Sequence, residues 1–388
     1  MIGYFLTVLM IMLVPHLLWG QTRDNMHEVK FRKHIIHQHF ISEGAAVGDV
    51  NNDGLKDILA GPYWFEAPDW VVHEIRTPLN FDHTTEWSDS FMNFVLDVNE
   101  DGWLDFISID FPGTGAYWFE NPGNRKGHWN KYIIDTTANN ESPMMADVDD
   151  DGRMDLVFGS GNREMKWFRA QGKGRIEWDR YSISNENAKG TKRFSHGLGF
   201  GDINGDGKND IIITQGWWEA PEDRTDVPWK FHKASLGQAC SQMQVFDFDG
   251  DGDNDVISAS AHNYGIWWHE QINDQKSGLT FVEHLIDSSF SQTHGVALED
   301  INGDQLPDLI TGKRYFAHNG KDPGGKDPAV LYWFEFQKDT HAGPTWIPHL
   351  IDENSGVGVQ VVINDINQDN KKDIVISNKK GVFFFEQL

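Results

Sequence analysis

Asp49, Asn51, Asp53 and Asp57 place four oxygen-bearing side chains within nine residues, with Gly54 at the sixth position. Oxygens at positions 1, 3, 5 and 9, with a main-chain carbonyl at position 7, can surround one hard cation. Calcium takes about six to eight such oxygens, and glycine at position 6 permits the sharp turn. The pattern returns as Asp97, Asn99, Asp101 and Asp105, then as Asp147, Asp149, Asp151 and Asp155. It recurs as Asp202, Asn204, Asp206 and Asp210, and as Asp247, Asp249, Asp251 and Asp255. The last copies are Asp300, Asn302, Asp304 and Asp308, then Asp365, Asn367, Asp369 and Asp373, with Gln305 and Asn370 in place of the glycine. Packed carboxylates repel one another without a cation. Up to seven structural Ca²⁺ ions are therefore expected, which would offset much of the formal charge of −26.

The histidines fall into two sets. His34, His73, His232, His284 and His349 recur at one place in the repeat, where Tyr132 and Tyr181 stand in two further copies. Such periodicity reads as structural. His83, His196, His262, His294 and His318 do not repeat. His196 and His294 each lie six residues before the first Asp of an acidic loop, where other copies carry Glu43, Phe91, Glu141, Ser241 and Val359. A neutral imidazole can accept a proton near neutral pH. Lys313, Arg314 and Tyr315 open the longest aperiodic segment and could stabilise an enolate or protonate a leaving oxygen. The expected catalytic set is thus His196, His294, Lys313, Arg314 and Tyr315. Glu141, Arg163, Trp217, Gln242, His262 and His318 are the expected substrate-binding residues. The single cysteine, Cys240, excludes an intramolecular disulfide and a cysteine-based metal site.

Strand-length segments must position these groups. Each acidic loop leads into an apolar run such as DILAG or DLVFG, then into an aromatic element such as YWFE, then into segments such as WVVHEI. Four strands per repeat, in repeats of about 50 residues, predict an all-β, seven-bladed β-propeller of four-stranded blades. The seventh repeat ends at Leu388 after its third strand, and the displaced fourth is FRKHII, Phe31 to Ile36. The N-terminal strand is expected to close the ring. Alternating strand directions put the acidic loops on one face. The aperiodic loops, with the candidate residues, gather on the other face around the channel mouth, as function does on a rigid frame.

The acidic balance opposes binding to a nucleic-acid backbone. Residues 1–20 are nearly all apolar and read as a signal peptide, giving a secreted or periplasmic protein with no membrane attachment after cleavage. The propeller is expected over residues 27–388, as a monomer.

The acidic loops with their following strands resemble the FG-GAP or VCBS repeats of integrin-type propellers. That resemblance implies the calcium-loaded propeller fold, and function remains a matter of the site. The stretches QGWWEAPED, CSQMQVFDFDGDGDNDVISASAH, SQTHGVALEDINGD and TGKRYFAHNGKDP look like the propeller domain of aldos-2-ulose (anhydrofructose) dehydratases. They imply a carbohydrate substrate and a β-eliminating lyase or dehydratase reaction. The alternatives are a non-catalytic glycan- or protein-binding propeller of integrin type and a uronic-acid polysaccharide lyase.

Overall fold

The computed structural model describes residues 29–274, 278–338 and 343–388, so the expected signal peptide lies outside the described residues. Strands joined by loops make up the described chain, with one 3-10 turn at Ala317–Gly320. The first repeat forms a four-stranded antiparallel sheet: Ala46–Gly48, Asp57–Ala60, Tyr63–Glu66 and Val71–Glu74. A second such sheet runs from Thr293–Glu299 to Thr345–Asp352. In a third, Val362–Asn364, Asp373–Asn378 and Gly381–Gln387 are joined by the N-terminal strand Phe31–His37, antiparallel to Gly381–Gln387. The remaining strands form two eight-stranded sheets, each made of two four-stranded ladders. One pair of ladders meets at Ser160 and Ala138; the other meets where Leu198–Gly201 runs parallel to Gln242–Phe246.

Burial grades along each ladder. The strand after the acidic loop is buried on both faces, as in DILA, DFISI and DIVISN, which explains its unbroken apolar run. The fourth strand is largely exposed, as in Val71–Glu74 and Lys230–Lys233. Between them, the third strand contributes the aromatic layer.

The periodic histidines cover that layer. His73 stacks on Trp64 with ring centroids 4.1 Å apart, His232 on Trp217 at 4.1 Å, and His349 on Trp333 at 4.3 Å. His284 on Trp268, His34 on Phe384, Tyr132 on Trp118 and Tyr181 on Trp167 repeat the arrangement. Each of the five imidazoles also holds a carboxylate of the aromatic strand, such as His73 with Glu66 at 2.7 Å and His232 with Glu219 at 2.6 Å. Their role is structural, as the periodicity suggested.

The acidic loops are wound by their own carboxylates. Asp49 accepts the N–H groups of Asp53 and Gly54, and Asp53 accepts that of Leu55. The position-9 carboxylates are buried; Asp105, for example, accepts from Val98 and Asn121 and so ties the loop to the hairpin behind it. Gln305 and Asn370 adopt φ of 71° and 66°, so the turn persists where Gly is replaced. In two loops, Asp147, Asp149 and Asp155, and Asp247, Asp249 and Asp251, oxygens converge within 4.8 Å of one another. These donor sets fit a hard, oxygen-loving cation.

Candidate functional site

The first residues of the inner strands stand side by side. The N–H of Val359 donates to the carbonyl of Glu43, that of Glu43 to Ser90, that of Glu141 to Ser195 and that of Leu198 to Ser241. Gln360 bridges to both backbone groups of Asn93, and Gln242 bridges Val359 and Val296 in the same manner. Gln242 thus braces neighbouring inner strands through its amide and lies outside the cavity lining described next.

At this end lies a cavity of about 420 Å³ lined by Trp87, Phe91, Phe111, Phe194, Glu141, His196, His262, Arg314 and His318. One wall is aromatic: Trp87 stacks on Phe111 at 5.4 Å, and Phe111 meets Phe91 and Phe194 edge to face. The other wall carries the polar groups. Arg314 is 2% exposed and its guanidinium lies 3.3 Å from Glu43, 3.7 Å from Glu141 and 3.1 Å from His294 Nε2. It also sits over Trp87, 5.0 Å from the ring centroid, a favourable place for a guanidinium. His196 and His262 approach each other with Nε2 atoms 3.0 Å apart.

Burial sets the protonation of this wall. It lowers the His196 pKa to about 4 against the pull of the Phe194 carbonyl, with Arg314 adding to the effect. It holds His294 well below its ordinary value, helped by Arg314. It raises Glu141, while Arg314 and the neighbouring imidazoles work the other way. Asp322 differs: burial would raise it, but hydrogen bonding and charge from His318, with Gln292 and His262, outweigh that and keep it below the usual carboxylate range. Its oxygens lie 3.0 and 3.1 Å from His318 Nδ1. His318 Nε2 has no hydrogen-bond partner among the described residues, and the ring lines the cavity.

The structure brings together six of the expected residues: Glu141, His196, His262, His294, Arg314 and His318. His294 stands behind the wall with no exposed surface, held by Arg314. The other expectations need correction. Lys313 is buried and its ammonium donates to Gln292 at 2.8 Å, outside the cavity lining. Tyr315 packs under Lys380, whose ammonium is 4.4 Å from the ring centroid. Arg163 faces solvent near Glu186. Trp217 is 3% exposed and lies flat on His232, so it belongs to the core. Cys240 is fully buried and its thiol is pushed up to about 12. Trp87, Phe111, Phe194 and Asp322 went unrecognised because they lie in aperiodic loops whose fold the repeat does not specify.

The FG-GAP-like repeat family matches residues 97–158, 147–213 and 247–311. These stretches hold acidic loops and the strands that follow them. The fold is a β-propeller. Among solved structures, a lectin from Agrocybe aegerita that recognises non-reducing terminal N-acetylglucosamine superposes on this propeller with a TM-score of 0.52. It is 17% identical, over 89% of this chain and 87% of that one. BBS1N, from a mercury-soaked complex with ARL6DN, gives a TM-score of 0.53 at 8% identity, over 93% of this chain and 96% of that one. Identities this low speak for the fold alone. No curated protein gives a significant match.

Proposed function

We propose that this is a secreted, calcium-binding propeller of seven four-stranded blades, closed by its N-terminal strand, with a carbohydrate-converting site in the cavity. One observation carries the site assignment: the rings of Trp87, Phe91, Phe111 and Phe194 and the polar side chains of Glu141, His196, His262, Arg314 and His318 line a single cavity. A sugar ring presents apolar C–H faces and a polar edge, and such a cavity offers both partners. Its volume, about 420 Å³, suits one or two sugar residues. The lectin neighbour's N-acetylglucosamine makes sugars the first class to screen.

The reaction proposed is β-elimination. His318, rather than His196 or His294, takes the part of base, because its Nδ1 is fixed by Asp322, its ring lines the cavity, and its Nε2 has no partner among the described residues. A carboxylate behind an imidazole sets its tautomer and steadies the imidazolium that forms. His318 removes the proton from the carbon next to a carbonyl or carboxylate. That C–H electron pair becomes the new double bond, the C–O bond at the β carbon breaks, and the imidazolium returns its proton to the departing oxygen. Arg314 supplies positive charge beside the oxygen on which charge develops.

Keto-sugars and uronic-acid polysaccharides should be screened for the ultraviolet absorbance of a new conjugated double bond. His318→Ala should lower turnover by about 10²–10⁴-fold. If sugars bind, yet no product forms and His318→Ala only weakens binding by degrees, the protein is a glycan-binding propeller. That alternative rests on the same mixed aromatic and polar cavity. If no sugar binds at all, the carbohydrate reading fails.

A further inference from the structure

We infer that, given the carbohydrate site proposed above, a second and smaller cavity beside the first seats a neutral sugar residue joined to the one that reacts. The substrate is then a chain rather than a single sugar. This cavity, about 240 Å³, has room for one pyranose ring. Phe194 and His196 line both cavities, so the two spaces meet at these side chains.

Three aperiodic connections around one repeat build it. Residues 190–196 precede the inner strand Leu198–Gly201, Thr214 and Gln215 turn from Asp210–Ile213 into Gly216–Glu219, and residues 237–239 lead into the next repeat. Main-chain bonds tie them together: the N–H of Leu236 donates to the Thr214 carbonyl at 2.9 Å, and that of Ala234 to the Gln215 carbonyl at 3.2 Å. Phe194 is the unusual member. It is a large apolar side chain, 43% exposed, on a left-handed backbone with φ of 63°. A bulky residue keeps that conformation only where its surroundings impose it. Here the N–H of Phe194 donates to the Asn139 carbonyl, and the Ser195 carbonyl accepts from Glu141, both at 2.9 Å. Arg193 lies over the Phe194 ring and is committed to the Pro112 carbonyl at 2.7 Å, outside the lining of the second cavity.

The polar groups of this cavity are hydroxyls and amides. Gln215 Nε2 donates to Thr214 Oγ1, so the Thr214 hydrogen remains to be donated. Gln238 Oε1 accepts from Ser260 at 3.1 Å, and its NH₂ has no partner among the described residues, nor has the Ser195 hydroxyl. His196 is the one titratable side chain of the lining, and burial keeps it neutral at pH 7, with a pKa of about 4. Free donors, one apolar ring and no charge match the hydroxyls and C–H face of a neutral sugar and exclude an unpaired carboxylate. The first cavity differs in carrying Arg314.

A uronate substituted at C4 accounts for both cavities. Its carboxylate would lie beside Arg314 and acidify the C5 proton, and the oxygen on C4 is the one through which the chain continues. His318 takes the C5 proton, that electron pair becomes the C4–C5 double bond, and the C4–O bond breaks. The neutral sugar leaves with the oxygen and with the proton that the imidazolium returns.

The test uses the full chain in calcium. Glucuronate, 4-O-glucosylglucuronate and 4-O-glucuronosylglucuronate are compared by calorimetry for binding and by ultraviolet absorbance for conversion. The glucosyl compound should bind at least about tenfold more tightly than glucuronate, as two or three added hydrogen bonds allow, and its conversion should release free glucose. Ala239→Phe, which fills the second cavity from an exposed position, should remove that gain, and Gln238→Ala should reduce it. Thr214→Val serves in its place should melting curves show that Ala239→Phe does not fold. Equal binding of glucosylglucuronate and glucuronate would overturn the second seat and leave the reading of the first cavity standing. Equal binding of the two disaccharides would overturn its preference for a neutral sugar, and a gain that survives Ala239→Phe would overturn its location. Tighter binding without conversion would support the seat and count against the proposed reaction alone. If none of the three binds, the seat falls, while a keto-sugar that binds in the screen above would keep the carbohydrate reading.

Discussion

Arg314 shows how much of the site rests on single side chains. Its guanidinium is 2% exposed, and Glu43 and Glu141 on either side are buried as well. Removing one partner of a buried ionic cluster leaves the others uncompensated, at a cost of about 3–5 kcal/mol. Arg314→Met should therefore destabilise by that amount in urea titrations, and adding Glu43→Gln should restore part of the loss. A loss under about 1 kcal/mol would mean the cluster holds little of the fold. Asp110 offers a test in pH. Burial raises its pKa to about 7, with Asp89 adding and Lys131 opposing, whereas an unfolded Asp titrates near about 3.9. Between these values the unfolded chain ionises first. The native state thus loses stability as pH rises from about 4 to about 7 and stays penalised above. Asp110→Asn should raise the melting temperature above pH 7 and leave it nearly unchanged near pH 4. An equal shift at both pH values would remove Asp110 as the source.

At the scale of strands, the pairing of Phe31–His37 with Gly381–Gln387 joins the two ends of the chain. His34 stacks on Phe384 and holds Glu386 at 2.8 Å, while Lys33 sits over Phe383. A chain beginning at Ser42 would leave Gly381–Gln387 as an uncovered edge, a template for association. It should aggregate or melt at lower temperature, as light scattering and calorimetry would report. Equal solubility and stability would show that the pairing carries no weight. This strand was legible because the outer element repeats and one copy was out of place. The offset of six residues before each acidic loop was legible for the same reason, and it located Phe91, Glu141, His196 and His294 at one level. What the repeat does not contain was not legible. That Lys313 lies outside the cavity lining while His318 belongs to it depended on which way side chains point off Asp308–Lys313 and the loop after it. Trp217 was misplaced because the aromatic strand presents one face to the core and the other to its covering histidine.

For the molecule as a whole, the formal charge of −26 has to be reconciled with a folded propeller. Six of the seven acidic loops use the first carboxylate to accept the N–H groups at positions 5 and 6, so the turn itself needs no ion. The calcium proposed above would act on the carboxylates that the turn gathers. A cation bound only by the native state stabilises by mass action, about 2.7 kcal/mol for each site at a hundredfold excess over its dissociation constant. Calcium at several loops should then contribute a large part of the fold's stability, with neighbouring sites coupled where Asn52 donates to Gly102 and Asn254 to Asp202. Excess EGTA should lower the melting temperature by more than about 10 °C, given roughly 2–4 °C per kcal/mol in chains of this order. Asp53→Ala, which empties one loop, should cost a fraction of that and reduce bound calcium by one ion. An unchanged melting temperature in EGTA would return the acidity to a solvated surface and leave the loops as hydrogen-bonded turns alone.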